Sequence, residues 1–170
     1  MKKIIIVLLC FASLSCASLV SHSAGFTQED PAYKIIPKNP GENQALAIYY
    51  SPEFLRAKED KKAATEMREP RYKGIPEFGY ISIRIMAWTR GTAYTTDWLF
   101  IVQDGNKNEI YREYGTSSNP HGNINDVGNY YNTTWTNLHN IYLEKNEEFP
   151  LYLRAVTSDN KAIDIVIQKK

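Results

Sequence analysis

The chain contains very little cysteine, and the position of that cysteine is the first constraint on the fold. Only two of the 170 residues are cysteine, Cys10 and Cys16, and both lie near the N-terminus. If the chain begins with a leader, Cys10 is removed with it and Cys16 is either removed or acylated, so the mature domain has no pair of thiols and forms no disulfide. This excludes cysteine catalysis and a disulfide-stapled scaffold. The 154 residues that follow Cys16 are enough for one domain held together by its core alone.

The chain also lacks an apolar run long enough to cross a bilayer. Lys2 and Lys3 are followed by apolar or small residues over residues 4–14, whereas a transmembrane helix needs roughly 20 apolar residues. A positive start followed by a short apolar core is typical of a secretory leader. We therefore expect residues 1–16 to be a signal peptide and the rest of the chain to be exported.

The residues around Cys16 leave three processing alternatives open. Ser15 is small, as in the leaders of bacterial lipoproteins, although Leu14 lies one place later than in that pattern. Ordinary cleavage after Ala17 or after Ser23 also fits. We favour lipid attachment at Cys16, because an unpaired cysteine is otherwise disfavoured in exported proteins. The expected location is the cell envelope, as a membrane-anchored lipoprotein, and the alternative is a periplasmic or secreted protein.

Neither sign of charge is in excess. The chain has 20 basic and 19 acidic residues, and removal of Lys2 and Lys3 with the leader brings it to near neutrality. Broad nucleic-acid binding needs a clear basic excess or a basic patch. The expected partners are therefore a membrane, through the lipid anchor, and a protein or carbohydrate at its outer face.

Prolines mark the segment that follows the leader. Pro31, Pro37 and Pro40 interrupt any regular element in residues 17–44, so we predict an extended tether there. The alternative is a strand within residues 33–36 that pairs at a sheet edge, where flanking prolines are tolerated.

Strand signals fill most of the remaining chain, residues 45–170. Ile81, Ile83 and Ile85 alternate with other side chains, as expected of a half-buried strand. We predict seven strands in all, at residues 45–50, 81–86, 97–103, 109–114, 135–143, 151–157 and 163–167. Trp88, Trp98 and Trp135 lie on or beside these strands, where core positions are expected.

One helix is predicted within this domain. Ser51 and Pro52 fit an N-cap and a first helical residue, and the helix formers continue to about Met67. Because no other helix separates successive strands, a parallel sheet is excluded. We predict an all-β, antiparallel β-sandwich of immunoglobulin-like or similar topology, with a small barrel as the alternative.

A candidate binding segment lies between the fourth and fifth predicted strands. Residues 115–132 are rich in Asn and Gly, and we predict a long loop there. Amide and carboxylate groups beside aromatic rings suit a carbohydrate. Calcium is a second possibility, although the loop has one carboxylate only, and the third is that these residues simply satisfy turns. The candidate ligand-binding residues are Asn119, His121, Asn123, Asp126, Tyr130, Tyr131 and Trp135.

No catalytic or cofactor motif is present in the sequence. His121 and His139 have no second ligand at a metal-binding spacing, and His139 lies in a strand, where a half-exposed position is expected. We therefore expect a non-catalytic, lipid-anchored envelope protein with no cofactor or metal that binds a protein or glycan ligand. The alternatives are a structural envelope subunit that assembles by strand addition, and a secreted hydrolase without a recognisable motif.

The lipid anchor is directly testable in cells fed an alkyne-bearing fatty acid. We predict that the wild-type protein carries the label and is retained in membranes, and that Cys16→Ala loses both, because the acylated thiol is gone. Fractionation and intact mass measure the two effects. An unlabelled wild-type protein whose N-terminus is Ser18 or Ala24 would contradict the anchor.

Overall fold

A computed structural model describes residues 28–38, 44–116, 118–127 and 130–170. Nine strands and one α-helix lie in these ranges. In chain order they are β1 (Tyr33–Pro37), β2 (Ala45–Tyr50), α1 (Pro52–Thr65), β3 (Tyr80–Ala87), β4 (Leu99–Gln103), β5 (Glu109–Tyr114), β6 (His121–Val127), β7 (Tyr130–Tyr142), β8 (Leu151–Val156) and β9 (Ala162–Lys169). Two short 3-10 helices, Gly91–Ala93 and Thr95–Asp97, connect β3 to β4.

The strands form two separate antiparallel sheets. The first has the order β1-β9-β8-β4-β5 and the second the order β2-β3-β7-β6. A barrel would need one continuous sheet, so the predicted all-β sandwich is confirmed. Without β1, the order β9-β8-β4-β5 of the first sheet corresponds to strands G-F-C-C′ of immunoglobulin sandwiches. The order β2-β3-β7-β6 of the second sheet corresponds to strands A-B-E-D. The helix that was predicted after residues 45–50 is also present.

The core lies between the two sheets and follows from the period of two along each strand. Ile81, Ile83 and Ile85 of β3 are fully buried and face Phe100 and other side chains of the opposite sheet. Trp98 is 2% exposed, and its Nε1 donates a hydrogen bond to the carbonyl oxygen of Thr92 at 2.9 Å. A buried tryptophan therefore fills the sandwich without leaving an unpaired N–H group.

Two of the nine strands, β1 and β6, are not among the seven that we predicted. β1 pairs with β9 from Tyr33 opposite Lys169 to Pro37 opposite Ile165. The structure thus has the edge strand that was our alternative to a tether at residues 33–36. Pro37 lies at the end of an edge strand, where its missing N–H group breaks no central pairing. Residues 17–27 and 39–43 of the predicted tether lie outside the described residues.

Residues just before β1 are also attached to the domain. The side-chain amide of Gln28 accepts a hydrogen bond from the backbone N–H of Tyr49 at 3.1 Å and donates one to its carbonyl oxygen at 2.9 Å. The amide thereby takes the place of a neighbouring strand on the edge of β2. The buried Asp30 carboxylate accepts hydrogen bonds from the backbone N–H of Ala32 and from the hydroxyl of Ser51. These contacts correct the tether prediction, because residues 28–38 belong to the folded domain.

Ser51 joins this N-terminal segment to α1. Its hydroxyl oxygen accepts a hydrogen bond from the backbone N–H of Phe54 at 3.2 Å, as an N-cap does, while the hydroxyl proton goes to Asp30. Pro52 is the first helical residue, where the missing N–H group costs nothing. One buried side chain therefore holds the start of the helix, the end of β2 and the N-terminal segment together.

The Ser51→Ala variant tests this junction. We predict a loss of about 1–2 kcal/mol in the free energy of unfolding, because the variant removes the helix cap and leaves the buried Asp30 carboxylate with one partner fewer. Urea unfolding measures the effect. Ser158→Ala, in an exposed turn, is the control and is expected to change little. An unaltered stability of Ser51→Ala would contradict the role assigned to this residue.

Candidate binding site

The candidate residues lie on a β-hairpin that extends beyond one end of the sandwich. β6 pairs with β7 from His121 opposite Thr136 to Val127 opposite Tyr130. β7 pairs with β3 only from Trp135 onward. Residues 123–127 and 130–134 therefore form a ribbon of two strands that pairs with no third strand in the described part of the chain, and we call residues 123–134 the β6–β7 arm. At about 3.4 Å per residue, the arm extends roughly 17 Å.

This hairpin corrects the prediction of a long loop at residues 115–132. Asn and Gly favour turns, but here Asn123 and Asn125 occupy paired positions in β6, opposite Thr134 and Asn132. The pairing supplies the backbone hydrogen bonds that a turn would otherwise provide. Among the described residues of the predicted loop, residues 115–116 and 118–120 form an irregular connection that precedes β6.

The hairpin places six of the seven candidate residues on β6 and β7, and Asn119 just before β6. Asn123 donates a side-chain hydrogen bond to the hydroxyl of Thr136 at 3.1 Å. Asp126 lies opposite Tyr131 in the register, and Tyr130 lies opposite Val127. The side chains of Asp126, Tyr130 and Tyr131 lie outside the described part of the structure, so the calcium possibility and their contacts stay predictions.

The base of the arm carries two tryptophans and an arginine. Trp135 lies across Gly122, and its ring atoms Cη2 and Cζ3 are 3.4 Å from the place that a Cβ on residue 122 would occupy. The guanidinium of Arg90 lies 5.8 Å from the ring centroid of Trp135. Trp88, one residue beyond the end of β3, is 68% exposed. Core positions were expected for all three tryptophans, and the exposed Trp88 corrects that prediction.

A groove of about 430 Å³ lies beside the base of the arm, and we call it the base groove. It brings together two of the predicted residues, Asn119 and His121, with side chains from β3 and β7. Leu138, 53% exposed, supplies an apolar surface, and Arg84 lies opposite it in the register. The groove is lined by Arg84, Ser118, Asn119, His121, Thr136, Asn137 and Leu138.

Asn137 fixes the geometry of the base groove from beneath. Its buried amide donates hydrogen bonds to the carbonyl oxygens of Ala93 at 2.9 Å and of Ser118 at 3.3 Å. Its Oδ1 accepts a hydrogen bond from the hydroxyl of Ser118 at 2.7 Å. Gly115 packs against the backbone oxygen of Thr95 so closely that a Cβ would not fit. The connection that presents Asn119 and His121 is therefore held in one position.

His139 lies in the core next to this region. It is 3% exposed, so the expected half-exposed position is wrong. Its ring stacks on Phe100 with centroids 4.5 Å apart, and its Nε2 lies 3.1 Å from the hydroxyl of Tyr111. Its Nδ1 is buried and has no partner among the described residues. Burial lowers the pKa of His139, because the sandwich interior disfavours the charged imidazolium, while the nearby carboxylate of Glu113 opposes the shift.

In comparisons with protein-family models, curated proteins and solved structures, the chain matches none of them. Within the described ranges, no group of three or more His, Cys, Asp or Glu side chains is placed to hold a metal ion. No helix found in those same ranges is long and apolar enough to cross a membrane.

The burial of His139 predicts a loss of stability in mild acid. Above pH 6.5, the ordinary pKa of histidine, both the folded and the unfolded chain are neutral at this residue, so the full stability is present. Below pH 6.5 His139 binds a proton in the unfolded chain but stays neutral in the folded chain. The free energy of unfolding therefore falls as the pH drops toward the lowered pKa of the folded state. Urea unfolding at about pH 7.5 and about pH 5.5 measures the difference.

The control for this measurement is His139→Phe, which keeps a planar ring but does not titrate. We expect the variant to lose less free energy of unfolding than the wild type between the two pH values. An equal loss in both proteins would show that other groups cause the acid sensitivity.

Proposed function

We propose that this protein is an exported, lipid-anchored envelope protein whose sandwich is a non-catalytic binding domain. The β6–β7 arm and the base groove would contact a carbohydrate or protein ligand at the outer face of the membrane. The observation that carries this proposal is the 68% exposure of Trp88, which directly follows the Ala87–Trp135 pair at the base of the arm.

The chemistry of these side chains supports recognition. Tryptophan and arginine are the residues most enriched at the centres of binding interfaces, because each combines a large contact area with polar groups. An indole ring left 68% exposed keeps a large apolar surface in water, and a ligand that covers it recovers that free energy. The Asn119 amide and the His121 ring supply hydrogen-bonding groups beside an apolar surface, as small-ligand sites do.

The position of the arm suits a protein that is anchored at its N-terminus. Gln28 and Asp30 are attached to the end of β2 at Tyr49 and Ser51. The arm leaves the opposite end of the sheet, because β3 lies opposite Tyr142 at its start and opposite Trp135 at its finish. The eight residues of β3 separate the two ends by about 24 Å. A lipid on Cys16 would thus leave the arm at the end farther from the attachment point.

The alternative of a structural subunit has less support in its original form. Residues 33–36 are the segment that this alternative would use to add a strand to a partner, but β1 is paired along its length with β9 of the same chain. Donating β1 to a partner's sheet would require it to leave its own sheet, whereas β1, as an edge strand, has its other side open to a partner strand.

Substitutions at the base of the arm test the proposed function. The exported Cys16→Ala protein is applied to a printed array of neutral oligosaccharides, and a photo-crosslinking residue at position 123 reports protein ligands in intact cells. We predict that Trp88→Ala and His121→Ala each weaken the observed binding by roughly tenfold or more, since each removes a contact worth about 1.4 kcal/mol or more. The melting temperature should remain unchanged.

Tyr114→Ala is the matched control, because Tyr114 is an exposed aromatic residue of the other sheet. It should bind as the wild type does. Two outcomes would contradict a binding role for the arm. One is that the protein shows no array binding and no discrete crosslink at position 123. The other is that Tyr114→Ala and Trp88→Ala lose the same amount of binding.

A further inference from the structure

A second depression lies on the outer face of the five-stranded sheet, away from the arm. It has a volume of about 400 Å³ and crosses β5, β4, β8 and β9. Its floor includes Ile101 and Val166, and Gln103 and Tyr152 lie in its wall. We call this feature the basic depression, because four cationic side chains line it. They are Lys38, Lys107, Arg112 and Arg154.

Sheet register places the two arginines in a single row. Arg112 of β5 lies opposite Ile101 of β4, and Ile101 lies opposite Arg154 of β8. The strands that carry the arginines are therefore separated by one intervening strand. At about 4.8 Å per strand, their backbones are roughly 10 Å apart. Two guanidinium groups thus stand on the same face with an apolar side chain between them.

Each guanidinium is held in place by a carboxylate of its own sheet. Arg154 donates from Nε and Nη2 to Asp164 at 2.7 and 2.9 Å. Arg112 donates in the same way to Glu109 at 2.8 and 2.6 Å. Each pair uses two of the five N–H donors that an arginine carries. Three donors on each arginine therefore remain for a second anion, and the flexibility of the side chain is already reduced before that anion binds.

The two lysines make the basic depression cationic overall. The ammonium of Lys107 lies over the ring of Tyr152. Lys38 is held by its backbone N–H group, which donates to the carbonyl oxygen of Asp164 at 2.8 Å. Four cationic side chains therefore face the two carboxylates of Asp164 and Glu109, in a chain that is otherwise close to neutral. Local charge of this kind attracts anionic ligands.

We propose that the basic depression binds a linear acidic polysaccharide, with sugar carboxylates on Arg112 and Arg154. A carboxylate matches the planar fork of arginine. The C–H faces of sugar rings suit the apolar floor at Ile101 and Val166, and the Gln103 amide suits a hydroxyl group. An uncharged sugar would leave the excess of cations over carboxylates without a counter-charge, and inorganic polyphosphate would gain nothing from the apolar floor. The site lies on the opposite sheet from the arm, so it does not depend on the proposed function.

Titration calorimetry with oligogalacturonate tests this proposal, at about 50 mM and about 200 mM salt. We expect binding that weakens with salt, and a loss of roughly tenfold or more in Arg112→Gln and in Arg154→Gln, since each variant removes charge-assisted hydrogen bonds to a sugar carboxylate. The double variant Lys38→Gln/Lys107→Gln keeps both arginine pairs and should also bind more weakly. The fully methyl-esterified oligomer should not bind.

The matched control removes two positive charges elsewhere. Arg56→Gln/Lys73→Gln changes exposed residues away from this face and should retain the wild-type affinity. Any of three results would overturn the proposal. The first is that polyphosphate binds as tightly as oligogalacturonate, the second is that the control variant loses as much affinity as the arginine variants, and the third is that oligogalacturonate does not bind at about 50 mM salt. Failure here leaves binding at the arm unaffected, so the two proposals are tested separately.

Discussion

The mutual burial of the two inner sheet faces is the interaction on which the rest of this structure depends. The isoleucines of β3 and β9, with Trp98 and Phe100, are removed almost completely from water. Each such side chain contributes about 1.5–3 kcal/mol when it is fully buried. If the leader is removed as we expect, no disulfide supplements this core. The sandwich must therefore be complete before any surface feature can be held in place.

Polar side chains attach the peripheral segments to this core at a small number of points. Asp30 and Ser51 fix the N-terminal segment and α1 at one end. Asn137 fixes the connection before β6 at the other end. Because each of these groups is buried and hydrogen-bonded to more than one partner, loss of any one leaves unsatisfied groups behind. The base groove and the arm take their positions from this framework, as proposed binding surfaces on a rigid scaffold.

The part of the fold that the sequence predicts is the part with local periodicity. Ile81, Ile83 and Ile85 alternate strictly, and Ser51-Pro52 marks the start of α1, so these elements could be recognised from neighbouring residues alone. β1 was only the alternative to a tether, because prolines flank it, and β6 was predicted as a loop, because its sequence is rich in Asn. Their hydrogen-bonding partners, β9 and β7, are supplied by tertiary pairing, which overrides local propensity.

The candidate site was predictable to a similar degree. Asn119 and His121 were singled out for their polar character in one short segment, and both line the base groove. Arg84 and Leu138 reach the same groove from β3 and β7, and only the strand register brings them together. Trp88 was expected in the core because it adjoins a strand, but β3 ends one residue before it. Arg84 and Leu138 were therefore not predicted, because they are far in sequence from Asn119 and His121.

We expect the sandwich to be complete without the β6–β7 arm, which would leave the arm available for a ligand. The most direct test replaces residues 124–133 by an Asn-Gly turn between Asn123 and Thr134, which lie opposite each other in the register. We predict that thermal unfolding of this variant stays cooperative, with a melting temperature within a few degrees of the wild type, because an isolated pair of strands adds little stability. A variant that unfolds, or whose melting temperature falls steeply, would show that the arm is part of the core and would contradict this account.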